Sequence, residues 1–150
     1  MIGLLSTLMV FAGPDLVTAS DPQSVHQAMT SYAPATLTRT EDGDPVIEAQ
    51  YPEGKDAGGY SVYFIDCEDG KDCRSVLFYT WWDTDEVTLD AVNDWNETSK
   101  FGRAYIDEDG NPAVEMSVNL YGGVTRDNFV DSVDWWDVLT SDFSEVVYPE

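Results

Sequence analysis

Three times in this chain the pair Asp-Gly stands between two runs of apolar and aromatic residues, as Asp42-Gly43, Asp69-Gly70 and Asp109-Gly110. Glycine takes positive φ at no steric cost, so such a pair between strand-like runs predicts a β-hairpin. Three bends of this kind make antiparallel pairing the basis of the fold.

The runs around each bend differ in what they bury. "APATLTRTEDGDPVIEAQY" carries two short strand-like segments around Asp42-Gly43. "GGYSVYFIDC" and "RSVLFYTWW" have apolar residues on both faces, which predicts central, two-sided strands. In "AVEMSVNL" alternation is strict: Val114, Met116, Val118 and Leu120 fall on one face, Glu115, Ser117 and Asn119 on the other.

Between the hairpins the period changes to that of helices. "DPQSVHQAMTSY" opens with a capping Asp21 and with Pro22 at a first helical position, followed by Val25, Ala28, Met29 and Tyr32. Thr88 can cap a second helix in which Leu89, Val92 and Trp95 recur at three-residue steps. Thr125 can cap a long third helix, with Phe129, Val133, Trp136, Leu139, Phe143 and Val146 on one stripe and most of its aspartates facing away. The order α-β-β-β-β-α-β-β-α predicts an α+β domain, an antiparallel sheet of hairpins with helices packed on it.

The acids are abundant but unspecific. With 29 acidic and 7 basic side chains in 150 residues the net charge is −22, which repels nucleic acids and anionic membranes. An apolar and aromatic share of 43% is too high for a disordered acidic chain, so the charge must lie on a folded surface. "DEDGN" at Asp107 to Asn111 invites comparison with a calcium loop. Counted from Asp107, however, the required sixth and twelfth positions hold Pro112 and Val118, so the comparison fails. No metal or cofactor is expected: the two cysteines and the single His26 do not make a four-ligand zinc site.

Residues 1–19, with an apolar run from Ile2 to Ala12 and small residues before Ser20, predict an export leader ahead of a domain over 20–150. The run is too short to span a bilayer. The alternative is an apolar N-terminal strand or helix of the domain, with which Asp15 fits poorly. Cys67 and Cys73 flank the second bend and can form a disulfide in an oxidising compartment, or stay as free thiols. A leader and a disulfide together would put the protein in the bacterial periplasm or outside the cell, which is the expected location.

"NDWN" with Asn93, Trp95 and Asn96, then Phe101-Gly102-Arg103-Ala104, then Gly122-Gly123-Val124-Thr125, together with the run "YSVYFIDCEDGKDCRSVLFYTWW", resemble the YbjN family of bacterial proteins, described as sensory transduction regulators. The resemblance spans about residues 22 to 147. It implies a fold like that of the small acidic chaperones of type III secretion, and it carries no catalytic residues.

Five residues are candidates for a binding surface: Asn93, Trp95, Asn96, Arg103 and Trp135. Asn93 and Asn96 share one side of the second helix, where an amide can bond the strand at Arg103 to Tyr105 or a partner's backbone. Arg103, one of few cations, is expected to pair with a nearby carboxylate. Trp135 lies beside the stripe of the last helix. His26 has no nucleophile motif around it. The expected function is a non-catalytic, protein-binding or chaperone-like module, with a homodimer as one arrangement. Exposure among Trp81, Trp82, Trp135 and Trp136 favours this reading. The alternatives are a divalent-cation or ionic sensor built on acidic turns, and a carboxylate-dependent hydrolase.

Overall fold

The computed structural model describes residues 16–51 and 58–149. Its elements are β1 (Leu16–Val17), α1 (Pro22–Thr30), β2 (Ala35–Arg39), β3 (Pro45–Gln50), β4 (Gly59–Ile65), β5 (Ser75–Trp81), α2 (Leu89–Thr98), β6 (Arg103–Ile106), β7 (Pro112–Asn119), β8 (Val124–Thr125) and α3 (Arg126–Val147). Six strands form one antiparallel sheet in the order β2-β3-β4-β5-β7-β6, and β1 pairs with β8 in a two-stranded ribbon. This is the α+β fold that the hairpin pattern predicts. The ribbon is an addition, because two-residue strands carry no periodic signal.

The three Asp-Gly bends close in two ways. Asp69 and Gly70 both take left-handed φ, 51° and 69°, and Glu68 and Lys71 bond each other in both directions, as in a two-residue mirror-image turn. In the other two, only Gly43 and Gly110 are left-handed, and the loop is one residue longer: Thr40 N–H donates to Asp44 O, Asp107 N–H to Asn111 O. The Asp107 carboxylate accepts from Asp109 N–H at 3.0 Å and Asn111 N–H at 2.8 Å, so it caps its own bend.

Each helix starts on the predicted cap: Asp21 accepts from Gln23 N–H, Thr88 from Ala91 N–H, and Thr125 from Asn128 N–H. α3 lies on the sheet face formed by Val62, Phe78 and Met116, which are aligned across β4, β5 and β7. Its Trp136 ring sits 5.6 Å from Phe78 and 5.8 Å from Tyr60.

Three expectations need correction. β4 and β5 are central but not two-sided: their residues alternate between buried and half-buried, with Tyr63 and Tyr79 leaning on each other across the open face. Aromatic neighbours cover one another there, so apolar residues tolerate the open side. Leu89 is exposed, leaving Val92 and Trp95 to bury α2. At the end of α3 the buried residue is Val147, not Val146, because four residues on from Phe143 is closer to one helical turn than three.

Residues 1–15 of the expected leader lie outside the described residues. Its last part does not: Val17 and Ala19 are buried in the core, and Leu16 and Val17 pair with Thr125 and Val124. No described helix is long and apolar enough to cross a membrane.

Candidate binding surfaces

The end of the sheet at β6 is shaped by α2. Asn96 turns its amide onto the strand, donating to Ala104 O at 2.9 Å and accepting from Ala104 N–H at 2.8 Å. Both polar groups of one edge residue are thereby satisfied without another strand. Trp95 is buried and meets the Phe143 ring edge-on at 5.2 Å, so it anchors α2 to α3. Asn93 stands on the exposed side of α2.

Arg103 pairs with Glu115, its register partner on β7, through Nε at 2.6 Å and through a second guanidinium nitrogen, and also lies over the Tyr105 ring. Glu115 is the better shielded member of that pair, and the pairing spends the cation on its own sheet.

Trp135 differs from the buried Trp136 beside it on α3. It remains 40% exposed and packs at a tilt, with ring centroids 4.8 Å apart, against Phe101, itself 54% exposed. Val138, one turn further along α3, is also exposed, which extends the apolar surface. Phe101 was not foreseen as a partner for Trp135. The only sequence signal for it is an aromatic residue placed just after a helix, where burial is not required. Of the remaining tryptophans, Trp136 is buried, Trp82 is half-buried against Phe143, and Trp81 is 49% exposed.

A second feature is a cleft of about 950 Å³ between the last turns of α3 and the ends of β4 and β5. Its floor is polar. Thr80 and Thr140 are buried and donate their hydroxyl protons to Gly59 O and Trp136 O. Tyr51 is 7% exposed, packs at a tilt on Tyr60, and its hydroxyl, close to Thr140, Thr80 and Trp136, makes no well-formed hydrogen bond with them. Burial pushes this phenol up to about 12, and the nearby Thr140 and Thr80 hydroxyls pull only part of the way back. Asp83, Glu145 and Tyr148 form the rim. Sequence reading missed this cleft, since its residues come from three separate segments.

His26 bonds the carbonyl oxygen of Ala35, tying α1 to the start of β2. Cys67 and Cys73 are joined in a disulfide across the second hairpin. Among the described residues no three His, Cys, Asp or Glu side chains are grouped to hold a metal ion.

The profile of the YbjN family, described as "Putative bacterial sensory transduction regulator", matches residues 25–148. The chain belongs to the YbjN family. Among solved structures it is similar to the crystal structure of YbjN, "a putative transcription regulator from E. coli", at 16% identity and a TM-score of 0.56, over 83% of this chain and 89% of that one. No curated protein matches the sequence.

The segments that carry the YbjN resemblance have physical work in this fold. A Cβ on Gly102 would meet Leu139 Cδ1 at 2.9 Å and Glu115 O at 3.2 Å, so a larger residue there would make the leucine side chain of α3 shift. Gly123 has φ 84° and would press a Cβ onto Leu16 at 3.0 Å, which joins the turn before α3 to β1. The second hairpin of the same resemblance carries the disulfide.

Proposed function

We propose that this YbjN-family protein is a non-catalytic regulatory module that works by binding a protein segment on the Phe101–Trp135–Val138 surface. The observation that carries this reading is the exposed, tilted pair of Phe101 and Trp135, two large rings packed on each other with much of their area left in water. Preordered aromatic side chains at a surface are the usual anchors of protein recognition. Acidic residues on the outer side of α3, Asp131, Asp134 and Asp142, border them and suit a partner with basic flanks.

Asn96 and Trp95 hold α2 in place beside this surface, and Asn93 stands on its exposed side as a polar contact. The Arg103–Glu115 pair fixes the adjoining strand. The binding reading is preferred to a cation sensor because the Asp107 carboxylate is occupied in capping its bend. The disulfide is compatible with an oxidising compartment, and we place the protein in the bacterial envelope or outside the cell on that ground together with the apolar start of the sequence.

The test is affinity isolation from the native envelope fraction with the wild-type chain and with Phe101→Ala plus Trp135→Ala, alongside the mass in solution. A defined partner held by the wild type and lost by the variant supports the proposal, provided the variant keeps its circular dichroism. Equal capture by both removes this surface. A mass of twice 16.7 kDa that collapses in the variant makes the partner a second copy.

A further inference from the structure

The cleft beneath the end of α3 is separate from the Phe101–Trp135 surface and has its own chemistry. None of its described lining residues is lysine, arginine or histidine. Two carboxylates, Asp83 and Glu145, stand at its rim. An anion entering it would meet repulsion with no compensating cation among the described lining residues, inside a chain of net charge −22.

The floor offers acceptors. The Thr80 and Thr140 hydroxyl protons are given to backbone carbonyls, so their oxygens keep lone pairs for a donor from outside. Tyr51, more than nine-tenths buried, adds a hydroxyl that makes no well-formed hydrogen bond with the Thr140, Thr80 and Trp136 side chains around it, and leaving such a group under-satisfied is costly. Around these oxygens stand π faces: half-buried Trp82 on the wall and exposed Tyr148 at the mouth, with Trp81 at the lip shared with the open sheet face. Carboxylates, acceptor oxygens and aromatic faces, with no opposing cation among the described residues, are the complement of a positively charged N–H donor on an apolar stem.

We propose that this cleft binds an organic cation, an alkylammonium or guanidinium group such as a lysine or arginine side chain or a polyamine carries. The Tyr51 hydroxyl then accepts from the ligand, the rim carboxylates balance its charge, and its methylene stem lies against the rings.

The experiment is isothermal titration of the full chain at fixed ionic strength with spermidine, with capped arginine and with capped lysine. Glutamate and maltose serve as controls. Saturable binding of a cation with a stoichiometry of one, and of neither control, is the expected result. Asp83→Asn with Glu145→Gln should weaken it about ten-fold or more, and Tyr148→Ala about five-fold.

Tyr51→Phe should also weaken binding about five-fold while raising the melting temperature of the free protein, which separates ligand contact from a structural role. Asp94→Asn with Glu97→Gln on α2 removes the same charge elsewhere and should change affinity less than about two-fold. Equal losses in the two double variants would mean diffuse attraction to an acidic surface, and the proposal falls. It falls also if maltose binds and the cations do not, or if no cation gives a saturable heat. Spermidine binding without the capped amino acids identifies a free polyamine as the source, and the reverse identifies a protein side chain. Loss of the Phe101–Trp135 surface leaves these titrations unchanged, so the two proposals fail independently.

Discussion

The Asn96 side chain pairs with the backbone of one residue, Ala104, in both directions at 2.9 and 2.8 Å. A neighbouring antiparallel strand would supply the same two bonds at that position. A helix residue therefore stands in for a strand at the β6 edge. Asn96→Ala should lower stability by about 1–3 kcal/mol, seen as a lower urea midpoint with unchanged slope. Asn96→Asp should cost at least as much near neutral pH, because a carboxylate has no N–H for Ala104 O. A loss below about 0.5 kcal/mol in both, within the range of ordinary surface substitutions, would show the clip to be incidental.

The β1–β8 ribbon ties Leu16 and Val17 to the rest of the fold. A chain beginning at Ser20 loses the buried Val17 and Ala19, whereas one beginning at Leu16 keeps them. Burial of the valine side chain alone is worth about 1.5 kcal/mol or more, so thermal melts should place the shorter chain several degrees lower. Equal melting temperatures would mean that a cut before Ser20 leaves the fold intact.

Two buried phenols predict alkaline sensitivity. Burial raises Tyr51 to about 12 and, helped by its neighbours Tyr51 and Tyr32, raises Tyr60 further. Folded pKa values above the unfolded one of about 10 mean that the folded state holds its protons longer. The stabilisation is therefore complete below about pH 10 and is lost as pH rises through the folded values, by at most about 1.4 kcal/mol per pH unit for each phenol. Urea unfolding on either side of that limit should show the fall, and Tyr51→Phe should make it shallower. A flat profile would mean that these phenols are not protected.

The disulfide closes a loop with a sequence separation of 6 around a turn that Glu68 and Lys71 already bond. Cys67→Ala with Cys73→Ala should cost about 2–3 kcal/mol by chain entropy, and the low end is expected because the turn is preformed. Denaturant midpoints with and without reductant would check this. An unchanged midpoint would assign the bond no role in stability.

The same residues show why some features were legible beforehand. Asp69-Gly70 bends the chain and Thr125 starts a helix for reasons contained within four residues, so both could be read directly. The pairing of Phe101 with Trp135 depends on where α2 leaves the sheet, and no local pattern encodes that. The aromatic runs of β4 and β5 suggested burial on both faces, yet one face is open, because Tyr63 and Tyr79 shield each other and need no covering layer.

By itself the sequence determined the hairpins, the helix caps, the acidic surface and the family, all set by backbone preferences and side chains within a turn or a strand of one another. Only the tertiary structure decided that β7 lies between β5 and β6, that Asn96 closes the sheet edge, and that Tyr51, Thr80 and Thr140 meet at the floor of a cleft. Those contacts join segments distant in the chain, and they form because burying the apolar faces of α2 and α3 against one sheet fixes where every remaining polar group must go.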